Sequence, residues 1–466
     1  MSATAENPTH QLLADALRND PRVARAKELL VEAVAEYAGK LAKPADPVPA
    51  LKGPYKKMLE RLATARGGAP FFPYVSSGLG NGPFVELADG SVKLDFIVGI
   101  GVHGLGHSHP ANVAATVDAA IEDTVMQGNL QQNQPSLQML EELLRLAEPD
   151  SSKLTHAMLS TSGAMANENA LKIAMHARSP ASRVICLENC FAGRSLALAA
   201  LTDRPAYRQG LPLALEVDYL PMFHPTNPRG TTDGAVQRLK TLLARHPGRY
   251  ACIWLELVAG EGGYYPGTAD YFTQLCQICR QHDVTIIFDE VQTFGRLSRP
   301  YAFQHFGLEQ FADIVTIGKI TQLCATLYRS QLKPKGPILS QTFTASSASI
   351  HAGLAALRLL QELDCFGADG WNARRHRHWV SRMEELRGRH PDKIAGPYGE
   401  GMMFAFTPLD GSADAANDLT MRLYHAGLMG FVAGSNPTRL RFLPSPAVVT
   451  EEHIDLAVEL IERTIA

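Results

Sequence analysis

The chain has 466 residues, which gives room for two or three domains and a large core. Its 45% hydrophobic and 20% charged content is that of an ordinary soluble globular protein, and a net charge of −3 gives no sign of nucleic-acid binding. Seven cysteines are too few for a disulfide framework in a chain of this length, and they suggest a reducing, cytoplasmic compartment.

Taken in order, the first twenty residues lack a basic start followed by an apolar core, so no secretory signal is expected. No apolar run approaches the roughly 18 residues that a membrane span needs. Residues 21–42 carry Val, Ala and Leu at helical spacing and read as a surface helix. KPADPVPALKGP follows and reads as a linker or arm. In PFVELADGSVKLDFIVG, two β-rich runs flank Ala88-Asp89-Gly90, a hairpin signal. GIGVHGLGHSHP formally contains GxGxxG at Gly99, Gly101 and Gly104, but the helix begins only at Pro110, which argues against a dinucleotide site. His107 and His109 lie two apart and lack a third partner, so no metal is expected. Residues 110–148 read as two helices joined near Gly128-Asn129.

Strand and helix then alternate. The expected strands are 157–160, 184–187, 215–220, 253–257, 284–288 and 314–317. That rhythm predicts an α/β fold with a mostly parallel sheet flanked by helices. LSTSG opens directly into a helix at Ala164, where unpaired N–H groups and the helix dipole make an anion seat. Cys276 and Cys279 form a CxxC on an expected buried helix and read as structural.

The most informative stretch is 284–319. It delivers Asp289 and Glu290 to the end of one strand and Gly318 and Lys319 to the end of the next. Ligands of open α/β sheets bind outside the carboxyl ends of the strands, so one carboxylate and one lysine meet at one rim. A pyridoxal phosphate enzyme needs that pair: a lysine amine for a Schiff base, and a carboxylate against the pyridine nitrogen. An isolated Asp and Lys would read as a turn cap and an exposed lysine; the residues around them decide otherwise.

FDEVQTFGR followed by DIVTIGK resembles the class III aminotransferases of the ornithine, acetylornithine and lysine 6-aminotransferase type. The resemblance implies PLP fold type I with a smaller α+β domain, Lys319 as Schiff-base lysine and Asp289 as pyridinium partner. It also implies Val291 behind the ring and Gln292 near the phenolic oxygen. STSGAMANENALKIA resembles the family's SGSEANEAALK, which implies a phosphate seat at Ser162, Gly163 and Ala164, with Met165 where a Glu is usual. CFAGRS resembles the aromatic-His-Gly-Arg-Thr/Ser pattern, which implies Phe191 stacked on the ring and Arg194 facing a substrate carboxylate or a salt-bridge partner, with Ala192 replacing the His. LELVAGEGGYYPG resembles VEPIQGEGG and implies Glu256 as a gating glutamate that pairs with Arg441 of TRLRFLPSP; Arg439 shares that strand face and leaves the register open. ILSQTFTASSASIH resembles the segment whose threonine, here Thr342, reaches the partner subunit's cofactor phosphate; Thr344, Ala345, Ser346 and Ser347 replace the usual glycines and Asn-Pro. GKITQLC resembles the lysine 6-aminotransferase run.

The expected organisation is an N-terminal helix and arm (1–75), an N-terminal part of the small domain (76–105), a large cofactor domain (106–348) and a C-terminal small domain (349–466). The resemblance implies a homodimer with shared active sites. Its small-molecule amino donor would be an ω-amine such as lysine or ornithine, with 2-oxoglutarate as acceptor in a ping-pong cycle. Aminomutase, racemase or decarboxylase chemistry on the same fold, or a non-catalytic cofactor-binding scaffold, stays open.

Overall fold

The computed structural model describes residues 12–466; residues 1–11, the start of the expected arm and of the stretch scanned for a secretory signal, lie outside the described part. Fifteen strands carry the architecture, in chain order. They are β1 (Ser76–Asn81), β2 (Phe84–Leu87), β3 (Val92–Asp95), β4 (Leu154–Ser160), β5 (Arg183–Leu187), β6 (Glu216–Leu220), β7 (Tyr250–Leu255) and β8 (Thr285–Glu290). The remainder are β9 (Ile314–Ile317), β10 (Cys324–Arg329), β11 (Ile394–Glu400), β12 (Met403–Pro408), β13 (Leu428–Met429), β14 (Phe431–Ala433) and β15 (Arg439–Phe442).

The central sheet runs β4-β10-β9-β8-β7-β5-β6. β8 is parallel to β7 and β9, and β5 is parallel to β6 and β7. β10 is antiparallel to both its neighbours. It is absent from the expected strands, because it follows the GKITQLC run with no turn signal of its own. The sheet is packed on both faces, so its strands are almost uniformly apolar. Ile253, Leu255, Ile286 and Phe288 face one core, whereas Cys252, Trp254 and Ile287 face the other. That alternation is the two-residue period of a strand.

The smaller lobe draws on both ends of the chain. Its first sheet is β1-β2-β3-β13, in which the C-terminal β13 adds parallel to β3. The expected hairpin is present: β2 and β3 pair across Asp89-Gly90, with Gly90 at φ 79° and the Asp89 carboxylate accepting the Ser91 N–H. The second sheet is β11-β12-β15-β14. Phe84, Leu94, Phe96, Trp379, Phe404, Phe442 and Ile461 close one core from segments far apart in sequence.

Two boundaries differ from expectation. Half of the proline-rich arm is helical: Pro49–Arg66 forms a helix with Pro49 in its first turn, a position that tolerates proline, and it accommodates Pro54 inside. The expected domain edge at 348/349 falls inside the Ser347–Glu362 helix, whose Ile350, Leu357 and Leu360 belong to the large core. At Gly99–Gly101 the chain makes a tight turn with positive φ at Gly99, Ile100 and Gly101 instead of a dinucleotide-binding helix start. Cys276 and Cys279 are fully buried on the Ala269–Gln281 helix, and all seven cysteines are free.

Candidate active site

The rim is built by strand register. Asp289 pairs with Thr316 and Glu290 with Ile317, so Lys319 begins two residues beyond the end of the strand beside Asp289. Phe288 pairs with Leu255, which places Glu256 on the other side of Asp289. Lys319 adopts a left-handed backbone at φ 60°, and its carbonyl accepts the Gln322 N–H at 2.8 Å. A non-glycine residue in this region costs on the order of 1–3 kcal/mol and is typical of a functional turn.

These groups line a cavity of about 410 Å³. Ser162, Gly163, Ala164, Phe191, Arg194, Glu256, Asp289, Val291, Gln292 and Lys319 all reach it. Ser162 caps the Gly163–Ala177 helix through the Met165 N–H, and Gly163 and Ala164 of its first turn line the cavity. Gly163 fits closely there: a Cβ would lie 3.0 Å from Val291 Cγ1 and press that side chain. Arg194 is exposed, with its guanidinium 3.5 Å from the Tyr207 ring centroid. It stacks on that ring instead of making the salt bridge weighed as its alternative.

Thr342 and Arg441 do not line this cavity. Thr342 is exposed in the single chain, on the loop beside Gly128. Arg441 is fully buried next to the cavity wall. The expected Glu256–Arg441 pair is replaced by another: Arg441 Nη2 donates to Glu261 Oε1 at 2.5 Å. Arg441 Nη1 donates to the Gly260 carbonyl at 3.1 Å, and Gln292 lies between the two charged groups, 3.4 Å from Glu261 and 3.5 Å from Arg441. The physical reason is local. Glu256 continues the β7 strand end and its carboxylate is consumed by the Phe191 and Gly260 N–H groups at 2.9 and 3.1 Å. Glu261 sits in the Gly260–Gly263 turn, which projects it toward β15. Arg439 takes a separate place, between the rings of Tyr265 and Tyr398, donating to the Gly263 carbonyl.

Sequence reasoning therefore chose the wrong one of two glutamates in a single motif. The flanking glycines of Glu261 were the available signal, since they permit the tight turn that carries it toward β15. It also missed Asn167, which lies one helical turn after Gly163 and therefore on the same face. Asn167 Nδ2 donates to Asp289 Oδ2 at 2.8 Å.

The electrostatics divide the site. Burial pushes Glu256 up to about 8, helped by the nearby Asp289 charge. Burial pushes Asp289 up to about 6, opposed by the Val291 N–H, Asn167 and Lys319. Burial, then the Arg441 charge, pulls the Lys319 ammonium down to about 8. In Glu261 and Arg441 burial also opposes charge, but their mutual attraction and hydrogen bond outweigh it: Glu261 stays below and Arg441 above its ordinary value.

The profile of the family described as aminotransferase class-III matches residues 64–465. The chain belongs to the class III aminotransferases. It is 30% identical to an acetylornithine aminotransferase of Methanocaldococcus jannaschii over 82% of this chain and 91% of that one. It is 29% identical to a [LysW]-aminoadipate semialdehyde transaminase of Deinococcus radiodurans, over 83% and 85% of the two chains. A solved lysine aminotransferase of M. tuberculosis shares its fold with a TM-score of 0.76 at 23% identity, over 87% of this chain and 99% of that one.

This class of aminotransferase depends on pyridoxal phosphate. The residues present fit that group. The Gly163–Ala164 helix start suits a phosphate, the buried Asp289 carboxylate suits a ring nitrogen, and Lys319 suits an aldehyde.

Proposed function

We propose that this aminotransferase binds pyridoxal phosphate through Ser162, Gly163, Ala164, Phe191, Asp289, Val291, Gln292 and Lys319. In this reading it moves the terminal amino group of a diamine or diamino acid to 2-oxoglutarate. Bound there, the cofactor supplies an electrophilic carbonyl carbon and a ring that accepts electrons. The chain's own groups do the rest. Asp289 would hold a positive charge on the ring nitrogen from its buried position on the cavity wall. Lys319 Nζ, drawn down to about 8, would take the proton from the substrate carbon that bears the departing amine and return it on the far side of that amine nitrogen. Phe191 and Val291 fix the plane in which this happens.

The observation that carries the substrate reading is the 2.5 Å Glu261–Arg441 pair. With the pair closed, Arg441 is neutralised, and a donor whose reacting carbon carries no carboxylate is accepted. With Glu261 swung away on its glycine turn, Arg441 offers a bidentate seat for the second carboxylate of 2-oxoglutarate. One site thus serves two substrates in turn, and a ping-pong cycle follows. The donor leaves as an aldehyde and the oxo acid leaves as glutamate.

A homodimer suits the surface. Val125, Leu130, Leu137 and Phe343 are 72%, 99%, 54% and 56% exposed. They flank the pairing of Met126-Gln127 with Ala345-Ser346, beside Thr342. A patch of this kind calls for a partner, and a second copy would bring Thr342 to its cofactor phosphate.

A donor screen with 2-oxoglutarate, read by glutamate formation, tests the proposal. Turnover with lysine, ornithine or a related ω-amine is expected. Cofactor-loaded protein that forms no glutamate with any donor would instead favour aminomutase, racemase or decarboxylase chemistry.

A further inference from the structure

Asn167 has all the marks of a placed residue. It is 2% exposed, and its amide nitrogen donates to two acceptors at once, the Ala192 carbonyl and Asp289 Oδ2, each at 2.8 Å. The Ala192 carbonyl only accepts, and so does the ionised Asp289 carboxylate, whose Oδ1 is already taken by the Val291 N–H. Turning the amide over would set its oxygen against a carbonyl and a carboxylate, so the orientation is fixed by chemistry. The cost is visible: Asn167 Oδ1 is buried with no partner among the described residues. A buried orphan acceptor is tolerated when the other end of the group is needed.

The second acceptor matters as much as the first. Ala192 has no polar side chain, so it is held through its own peptide groups. Ala192 N–H donates to Thr202 Oγ1, Phe191 N–H donates to Glu256, and the Ala192 carbonyl accepts from Asn167. One amide therefore ties the peptide behind the stacking ring to the carboxylate under the cofactor.

We infer that Asn167 is a positioning residue that holds Asp289 ionised and fixes its distance from the plane set by Phe191. This rests on the proposed cofactor site. The groups that bear on Asp289 come from its own strand and three neighbouring segments. They are Lys319 and the Thr316 hydroxyl from β9 and its end, Glu256 after β7, Cys324 on β10 and Glu290 on its own strand. Among these Lys319 stabilises the carboxylate and Glu256 and Glu290 oppose it. The Asn167 donor adds to the stabilising side, so its loss raises the pH at which Asp289 takes up a proton.

The test titrates pyridoxal phosphate into wild-type and variant apo-proteins by tryptophan fluorescence, from pH 5 to 8. Wild-type affinity is expected to fall on acidification as Asp289 protonates. In Asn167→Leu, affinity at pH 7 is expected to drop about tenfold and the acidic fall-off to move upward by about one pH unit. Asn167→Asp keeps the size and removes the donor, and it is expected to shift the fall-off at least as far. In an Asp289→Asn background neither substitution should move it further. Uniformly weaker binding with an unmoved fall-off, in either folded variant, would reduce Asn167 to packing and overturn the inference. If wild-type apo-protein takes up no pyridoxal phosphate at all, the proposed function itself fails.

Discussion

The floor of the cavity and the Glu261–Arg441 contact are both buried and both charged, yet their environments drive them in opposite directions. On the floor, Asp289, Glu256 and Lys319 lie close together without a full ion pair, and burial moves each toward its neutral form. At the contact, one carboxylate meets one guanidinium at 2.5 Å and each holds the other ionised. The difference teaches how one fold separates two tasks. Groups near proton balance can pass protons, whereas a locked pair can only open or close. Glu256 and Glu261 lie five positions apart, yet one carboxylate accepts backbone N–H groups and the other meets a guanidinium.

That comparison can be broken most severely at Lys319. Lys319→Met removes the proton carrier, and single-turnover assays should show a rate loss of at least about 100- to 10,000-fold. Arg441→Lys tests the gate next. It keeps the charge but loses the fork, and the kcat/KM for 2-oxoglutarate should fall by about 10- to 100-fold with a smaller effect on the donor half-reaction. Glu261→Gln should do the reverse. With Arg441 unneutralised, the KM of the ω-amine donor should rise by about tenfold while that of 2-oxoglutarate holds or improves.

The smallest effect is thermodynamic and sharpens the contrast. A carboxyl raised on folding binds more protons in the folded than in the unfolded state, so its contribution to stability is lost as pH rises from its unfolded value to its folded one. For Glu256 that window runs from 4.5 to about 8. Denaturation of Glu256→Gln apo-protein should therefore show a shallower stability loss across it than wild type. Lys319, lowered on folding, gives the opposite slope between about 8 and 10.5: wild-type stability rises with pH there, and Lys319→Met should lack that rise. Equal slopes in variant and wild type would show that the floor groups are not perturbed as described.

Much of this was legible in the sequence where local pattern and global fold agree. The strands β4 to β9 announce themselves as short apolar runs, and their ends put Asp289 and Lys319 on one rim without further information. What was not legible depends on register between distant segments. β10 hides because an antiparallel strand entering a parallel sheet follows Lys319 within a few residues, and no turn signal marks it. Glu261 was passed over for Glu256 because only the approach of β15 decides which carboxylate meets Arg441. Asn167 looked like one polar residue on a helix; its two acceptors come from residues 25 and 122 positions away. The helix at Pro49–Arg66 was masked by its prolines, one of which sits where a helix accepts it.

The central claim is that Lys319, opposite Asp289, carries pyridoxal phosphate in an aminotransferase site. Borohydride reduction of the cofactor-loaded protein, followed by proteolysis and peptide mass mapping, tests it directly. The account predicts the added pyridoxyl mass on the peptide that contains Lys319, and its absence from Lys319→Met. A label on a different lysine, or none on any peptide of protein that has bound the cofactor, would contradict it.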